Sequence, residues 1–320
     1  MPAPPFRLAL LDDYQGIAST IVPWAELDGV EVTAFRDHLY DDDEVVARLQ
    51  TFDAVMAMRE RTAFPRRLLE RLPKLRLLVT TGPFNAAIDI QAAVDNDIVV
   101  CGTGGTAAPT AELTWGLVIA LARQIPTEDA SIRSGSWQRS VGVELDGKTL
   151  GVVGLGNLGR RVAKVGLAFG MDVLAWSHNL TAESAEAAGA RLVTFDELLE
   201  RATFVTIHLR LSDRTRGLIG ERELRLLGPD GYLVNTSRGP IVDEDALVKA
   251  LQEGWIAGAG LDVFDEEPLR ADHPLRRSPR TVLTPHLGYV TDAGYGVFYG
   301  HAFEDVKAFL EGTPIRVITP

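Results

Sequence analysis

Along nearly the whole chain, short apolar runs alternate with amphipathic stretches. This constrains the fold more than any other feature, because a strand that feeds a crossover helix returns parallel to itself. In the first hundred residues, 7–11, 30–35, 54–58, 75–80 and 98–101 read as strands, with helices between them over 42–50, 65–72 and 88–96. A second series follows. Strands are expected over 149–153, 172–176, 191–193, 204–208, 232–235, 258–263 and 281–284, with helices over 160–169, 181–188, 196–201 and 244–253. The expectation is an α/β protein of two doubly wound parallel-sheet domains.

Two helical patterns stand outside these series. Residues 110–123 are strongly apolar, so that helix should be buried between domains or in a subunit interface, with Thr110 as its N-cap and Glu112 in its first turn. Residues 291–310 form a terminal helix too short to be a domain, which must pack on something already made.

Composition narrows the class of partner. The chain has 320 residues and a formal charge of −12, so its surface repels nucleic acid and anionic lipid; neither is expected as a partner. Cys101 is the one cysteine, which leaves no intramolecular disulfide and no multi-cysteine metal site, so no metal is expected. The apolar run at residues 8–11 is too short for a signal peptide or a membrane span, and a cytoplasmic location is expected.

The sharpest local motif is Gly154, Gly156 and Gly159, set as G-x-G-x-x-G directly after a strand and before a helix. Such glycines allow a tight turn and let backbone N–H groups, with those of Asn157 and Leu158, approach a dinucleotide pyrophosphate at the positive end of the helix. About twenty residues on, where NAD sites carry a carboxylate for the ribose 2′-OH, this chain has Trp176, Ser177, His178 and Asn179. With no carboxylate to repel a 2′-phosphate, and Ser177, His178 and Asn179 able to donate to it, the turn favours NADP over NAD. No arginine stands there, so use of both stays open.

Three segments then arrive at predicted strand ends, where open parallel sheets build their sites. They are N-T-S-R-G-P from Asn235 through Thr236 and Arg238, L-D-V-F-D-E-E-P with Asp262 and Glu267, and T-P-H-L-G with His286 and Gly288. With the glycine fingerprint, in this order and spacing, they resemble the D-isomer-specific 2-hydroxyacid dehydrogenases over essentially the whole length. The resemblance implies an oxidoreductase that passes a hydride between NAD(P)H and C2 of a small anionic 2-oxo or D-2-hydroxy acid. It implies Arg238, Glu267 and His286 as the catalytic set, with Thr236, Arg238, Asp262, His286 and Gly288 on the cofactor side and Asp262 against the nicotinamide. It also implies a flavodoxin-like substrate domain of residues 1–103 plus 291–320, with a Rossmann nucleotide domain, 104–290, inserted into it, and a homodimer with Trp137 at the contact.

The residue types suit that chemistry independently. A histidine titrates near working pH and can give or take the proton at the substrate oxygen. A glutamate on the other ring nitrogen fixes the tautomer and stabilises the imidazolium. An arginine offers a planar fork to the carboxylate and carbonyl oxygen. His208, lacking a partner signal, reads as packing or wall, and a turn or capping role is the lesser alternative for Asp262.

Two loops are expected to carry the substrate residues. Arg59 and Arg61 follow the third strand; Arg59 looks like the substrate-facing arginine of phosphoglycerate dehydrogenases, with two exposed loop arginines as the lesser alternative. Gly82, Pro83 and Phe84 follow the fourth strand, where the family reads G-x-G-x-D and holds the substrate carboxylate with consecutive backbone N–H groups. Pro83 has no N–H, and Phe84 replaces the second glycine, so one donor is lost and the ring should line or narrow the pocket. A dinucleotide-sensing, corepressor-like binding protein without turnover is the alternative of another class. Formate oxidation on the same fold is disfavoured by Glu267, since those relatives generally carry glutamine there.

Overall fold

The computed structural model describes residues 4–320, which divide into two compact units. One is discontinuous, running to Thr106 and resuming at Thr291–Pro320; the other is Ala107–Val290.

The discontinuous unit holds β1 (Phe6–Leu10), β2 (Val30–Ala34), β3 (Ala54–Ala57), β4 (Leu77–Thr80) and β5 (Val99–Gly102), all parallel in the order β2-β1-β3-β4-β5. This is the flavodoxin-like order. Ala9, Val55, Leu78 and Val100 point from the sheet into a core closed by Leu49, Leu68 and Ala92. The helices Asp42–Leu49 and Ile90–Asp95 start where Asp41 and Asp89 accept backbone N–H groups of their first turns. The terminal helix, Asp292–Leu310, returns to this unit, burying Tyr295, Phe298, Tyr299, Ala302 and Val306. Beyond it the tail covers the β5 edge, with an antiparallel bridge between Val317 and Cys101. The apolar pattern of the helix is thereby explained.

The inserted unit holds β6 (Thr149–Val153), β7 (Asp172–Trp176), β8 (Arg191–Leu192), β9 (Phe204–Ile207), β10 (Tyr232–Asn235), β11 (Gly258–Leu261) and β12 (Thr281–Leu283). Their order is β12-β11-β10-β9-β6-β7-β8, every pair parallel. Counted within the unit this is the Rossmann order, with one further strand at the edge. Leu150, Val152 and Val234 face one core and Val153, Val205 and Leu233 the other, so the strands are buried on both faces. Burying each such side chain contributes about 1.5–3 kcal/mol.

Several local expectations change. The apolar helix is Ala108–Arg123, with Ala107 as an N-cap that makes no side-chain bond; Thr110 lies inside it, and its first turn holds no acidic residue, Glu112 included. Pro109 opens that helix instead. The helix ends at Gln124, in the left-handed region at φ 51°, and a second helix, Ile125–Arg133, starts at once. Sequence reading missed it because Pro126 looks like a terminator, whereas proline in a first turn is favourable. The helix after the fingerprint is Asn157–Ala168, so it begins inside the motif. Glu221–Leu227 was also missed.

Candidate active site

The turn after β6 is shaped by contacts that forbid side chains at two of its glycines. Gly154 adopts φ +101°, and a Cβ there would lie 2.7 Å from the His208 carbonyl oxygen. A Cβ on Gly159 would lie 2.0 Å from the Gly154 carbonyl oxygen. Gly156 differs: its Cβ would meet nothing within 4 Å, and it precedes Asn157–Ala168 without capping that helix by a side chain. Two glycines are therefore required by packing. The third keeps the helix N-terminus uncovered, with Asn157 exposed and Leu158 half-buried, which suits a pyrophosphate.

Beyond β7, Ser177 is half-buried while His178 and Asn179 are exposed, and the His178 ring stands edge-on to Trp176 at 4.9 Å. From the first turn of the fingerprint helix, Arg160 Nη2 donates to Ser184 Oγ at 2.6 Å. At the end of β9, both ring nitrogens of His208 are buried without a hydrogen-bond partner. Burial pushes this imidazole down to about 3, so it is neutral.

The catalytic candidates are built around Asp262, which is fully buried just past β11. Its Oδ1 accepts from Thr284 Oγ1 at 2.6 Å and from the Leu287 N–H at 2.7 Å, and its Oδ2 accepts from the Gly288 N–H at 2.8 Å. Burial raises its carboxyl above the ordinary value, opposed by the Thr284 hydroxyl, the Leu287 N–H, the charge of His286 and the Gly288 N–H. These bonds grip the loop on both sides of His286, whose backbone sits in the left-handed region at φ 55°. Gly288 fits there because a Cβ would approach Asp262 Oδ2 to 3.1 Å.

On this loop, His286 Nδ1 lies 2.5 Å from Glu267 Oε2. Glu267 is itself oriented, since its Oε1 accepts the Phe264 N–H at 3.0 Å. Arg238 is half-buried beyond β10; Asn235 Nδ2 donates to its carbonyl oxygen at 2.9 Å, and its own Nη1 donates to the Ser237 carbonyl at 2.7 Å. Gly239 must lack a side chain, because a Cβ would lie 2.1 Å from the Phe264 carbonyl carbon. That close passage ties the Arg238 loop to the Glu267 loop. The Thr236 hydroxyl is buried against Thr114 Oγ1 at 2.9 Å, so it braces the loop from below.

In the discontinuous unit, Arg59 has φ 53°, its N–H donates to Thr81 Oγ1 at 2.8 Å, and its Nη1 donates to the Thr81 carbonyl at 3.0 Å. The Arg61 guanidinium lies 4.7 Å over the Tyr14 ring. Gly82 is buried, with its N–H donated to Thr103 Oγ1 at 2.7 Å, whereas Phe84 is 61% exposed. The ring therefore stands off its unit rather than packing into it. Among the described residues no group of three or more His, Cys, Asp or Glu side chains is arranged to hold a metal ion. No helix among them is long and apolar enough to cross a membrane.

Residues 115–288 match the profile described as the NAD binding domain of D-isomer specific 2-hydroxyacid dehydrogenase. A glyoxylate reductase of Aeropyrum pernix is 42% identical over 255 residues, covering 77% of this chain and 76% of that protein. The chain belongs to the D-isomer-specific 2-hydroxyacid dehydrogenase family. The phosphoglycerate oxidoreductase of Vibrio cholerae superposes on this dehydrogenase with a TM-score of 0.91 at 34% identity, covering 96% of this chain and 99% of its own. The D-lactate dehydrogenase of Aquifex aeolicus, solved with NAD and lactic acid, superposes with a TM-score of 0.77 at 25% identity, covering 96% of each chain. This dehydrogenase is thus an oxidoreductase with an NAD-binding domain, and the dinucleotide-sensing alternative is not favoured.

Sequence reading missed the residues that hold this dehydrogenase's loops in place. Thr110 Oγ1 donates to the Gly288 carbonyl at 2.7 Å, and Thr114, one turn later, meets Thr236. Thr284, read only as part of a motif, supplies a hydroxyl to Asp262. The available signal was two threonines at i, i+4 on an otherwise apolar helix, a spacing that puts both on one face.

Proposed function

We propose that this dehydrogenase transfers a hydride between NAD(P)H and C2 of a small 2-oxo or D-2-hydroxy acid, with His286 as proton donor in reduction and acceptor in oxidation. The observation that carries this is the 2.5 Å contact of His286 Nδ1 with Glu267, on a loop gripped through Leu287 and Gly288 by Asp262. With Nδ1 committed to the carboxylate, Nε2 is the nitrogen left to exchange a proton with the substrate oxygen. Glu267 stabilises the imidazolium before that transfer. Arg238 offers its planar fork to the carboxylate and carbonyl oxygen, drawing charge toward the oxygen that takes the proton. Arg59 and Arg61 are the substrate-side cations of the discontinuous unit, beside Gly82 and Phe84. When bound, the nicotinamide supplies the hydride that reduces C2 and takes it back in oxidation.

The unit Ala107–Val290 is the nucleotide domain and the discontinuous unit the substrate domain. Gly154, Gly156, Asn157, Leu158 and Gly159 receive the pyrophosphate, Ser177, His178 and Asn179 the adenosine ribose, and Asp262, Thr236 and Gly288 back the nicotinamide side. NADP is favoured over NAD: the turn after β7 carries no carboxylate, and Arg160 brings a cation to Ser184, beyond that turn. A second copy of the chain covers the exposed Ile125, Ile132 and Trp137, which border a groove of about 590 Å³. A cytoplasmic dimer is the working form, in keeping with a single cysteine that forms no disulfide, and the formal charge of −12 argues against nucleic acid and anionic membrane as partners.

The test is oxidation of NADPH and NADH, side by side, with a panel of 2-oxo acids, using His286→Ala as the control. Turnover that disappears in the variant, with NADPH the better donor, is expected. Tight dinucleotide binding with no turnover of any acid would defeat the proposal.

A further inference from the structure

The loop after β4 departs furthest from the motif pattern, and its internal bonds limit what it offers a ligand. Of the three consecutive backbone positions, Gly82 spends its N–H on Thr103 Oγ1 at 2.7 Å and Pro83 has none. The face of Gly82 is covered as well, because a Cβ there would lie 1.8 Å from Arg59 Nη1. That guanidinium is held by the Thr81 carbonyl at 3.0 Å, with its Nε 3.7 Å from Glu60. On the far side, Asn85 Nδ2 donates to the Arg59 carbonyl at 2.6 Å and to Thr80 Oγ1 at 2.8 Å, while its Oδ1 accepts the Ala87 N–H at 2.9 Å. Recognition of charge by backbone amides is therefore largely closed off in this loop.

What the loop does display is Phe84. A lone exposed apolar side chain is ordinary on a protein surface. This one is carried between a proline and a buried asparagine, on a segment anchored at both ends. It stands at the carboxyl end of a parallel strand, the side on which such sheets take ligands. Folding has already met the cost of ordering the loop, so the ring is pre-organised for contact.

We propose that Phe84 is a specificity-determining residue that directs this dehydrogenase toward monoanionic 2-oxo acids bearing an apolar substituent on C3. This rests on the reading of the preceding subsection. A second anionic group on the substrate gains little here, because the ring repels it and both nearby cations are already engaged. The ring face carries negative charge density, Glu60 offsets the charge of Arg59, and Arg61 is drawn onto Tyr14 with its Nη1 3.4 Å from the Asp12 carbonyl. An apolar substituent instead gains the area of the ring.

The experiment compares kcat/KM of wild type, Phe84→Gly and Phe84→Leu for phenylpyruvate, 4-methyl-2-oxopentanoate, glyoxylate and 3-phosphohydroxypyruvate, with the dinucleotide the enzyme prefers. Wild type is expected to favour the two apolar acids. Phe84→Gly should lower the ratio of apolar acid to glyoxylate by about 10- to 100-fold, and Phe84→Leu should recover most of it for 4-methyl-2-oxopentanoate. An unchanged ratio in Phe84→Gly with wild-type thermal stability would overturn the inference, as would preference of the wild type for 3-phosphohydroxypyruvate. Absence of turnover by wild type on all four acids would bring down the underlying reading with it, whereas turnover with an unchanged ratio brings down this inference alone.

Discussion

In the inserted unit, loops from different strands of the parallel sheet lock one another, whereas in the discontinuous unit the corresponding loops are pinned by backbone bonds and display what remains. Asp262 after β11 grips the loop after β12, Glu267 reaches His286 on that loop, and Gly239 lets the Arg238 segment run against Phe264. After β3 and β4, by contrast, Arg59, Gly82 and Asn85 bond mostly to neighbouring backbone or threonine hydroxyls, and Phe84 is left outside. A proton that must leave one defined nitrogen needs its carrier braced from several sides. Selecting a substituent requires only a fixed surface.

The largest expected effect tests the braced side. His286→Ala should lower kcat by about 10²- to 10⁴-fold in steady-state assays; a rise in KM alone would mean that His286 does not handle the proton. Next comes Gly159→Ala, whose Cβ would meet the Gly154 carbonyl at 2.0 Å. It should cost about 2–4 kcal/mol in urea unfolding, whereas Gly156→Ala, with open space around its Cβ, should keep the wild-type midpoint and weaken dinucleotide binding about tenfold. Equal loss of stability in both variants would remove the distinction between packing and ligand glycines.

Asp262→Ala strips the loop of its acceptor and should cost about 2–3 kcal/mol while lowering kcat more than it raises KM. If kcat survives, the loop around His286 is held by something other than Asp262.

The smallest effect belongs to the discontinuous unit. Asp305 is fully buried, with Oδ2 unpaired and Oδ1 receiving Arg316 Nε at 2.9 Å. Burial pushes its carboxyl up from 3.8 to about 7, against the lowering influence of Arg316. The folded value lies above the unfolded one, so this contribution to stability is complete below about pH 4 and is lost as pH rises through 7. Between pH 5 and 8 the thermal midpoint of Asp305→Asn should therefore fall less than that of wild type, by a few degrees. Parallel pH profiles would mean that Asp305 is ionised throughout.

Most of the fold was legible because a buried parallel strand must be apolar and its crossover helix amphipathic. The strands over 149–153, 172–176 and 232–235 and the helix over 244–253 lie where the pattern puts them. Elements were lost where a local signal has two meanings, as at Pro126, which starts a helix although it follows the end of another. In the candidate site, His286, Glu267 and Arg238 could be named because their motifs stand in the family's order and their residue types suit one chemistry. Thr110 could not be assigned its role, since a threonine near a helix start is read as a cap, and only the folded chain reveals that its hydroxyl reaches Gly288.

The sequence by itself determined the two parallel sheets, the family and which residues are candidates for handling the proton, because periodicity and ordered motifs are properties of the chain. Tertiary structure alone decided which glycines serve packing and which stays open, that Asp262 is the clamp of the loop carrying His286, and that the Gly82 amide is already spent. Each of these depends on distances between residues far apart in sequence, and hydrogen bonds and steric limits act through space.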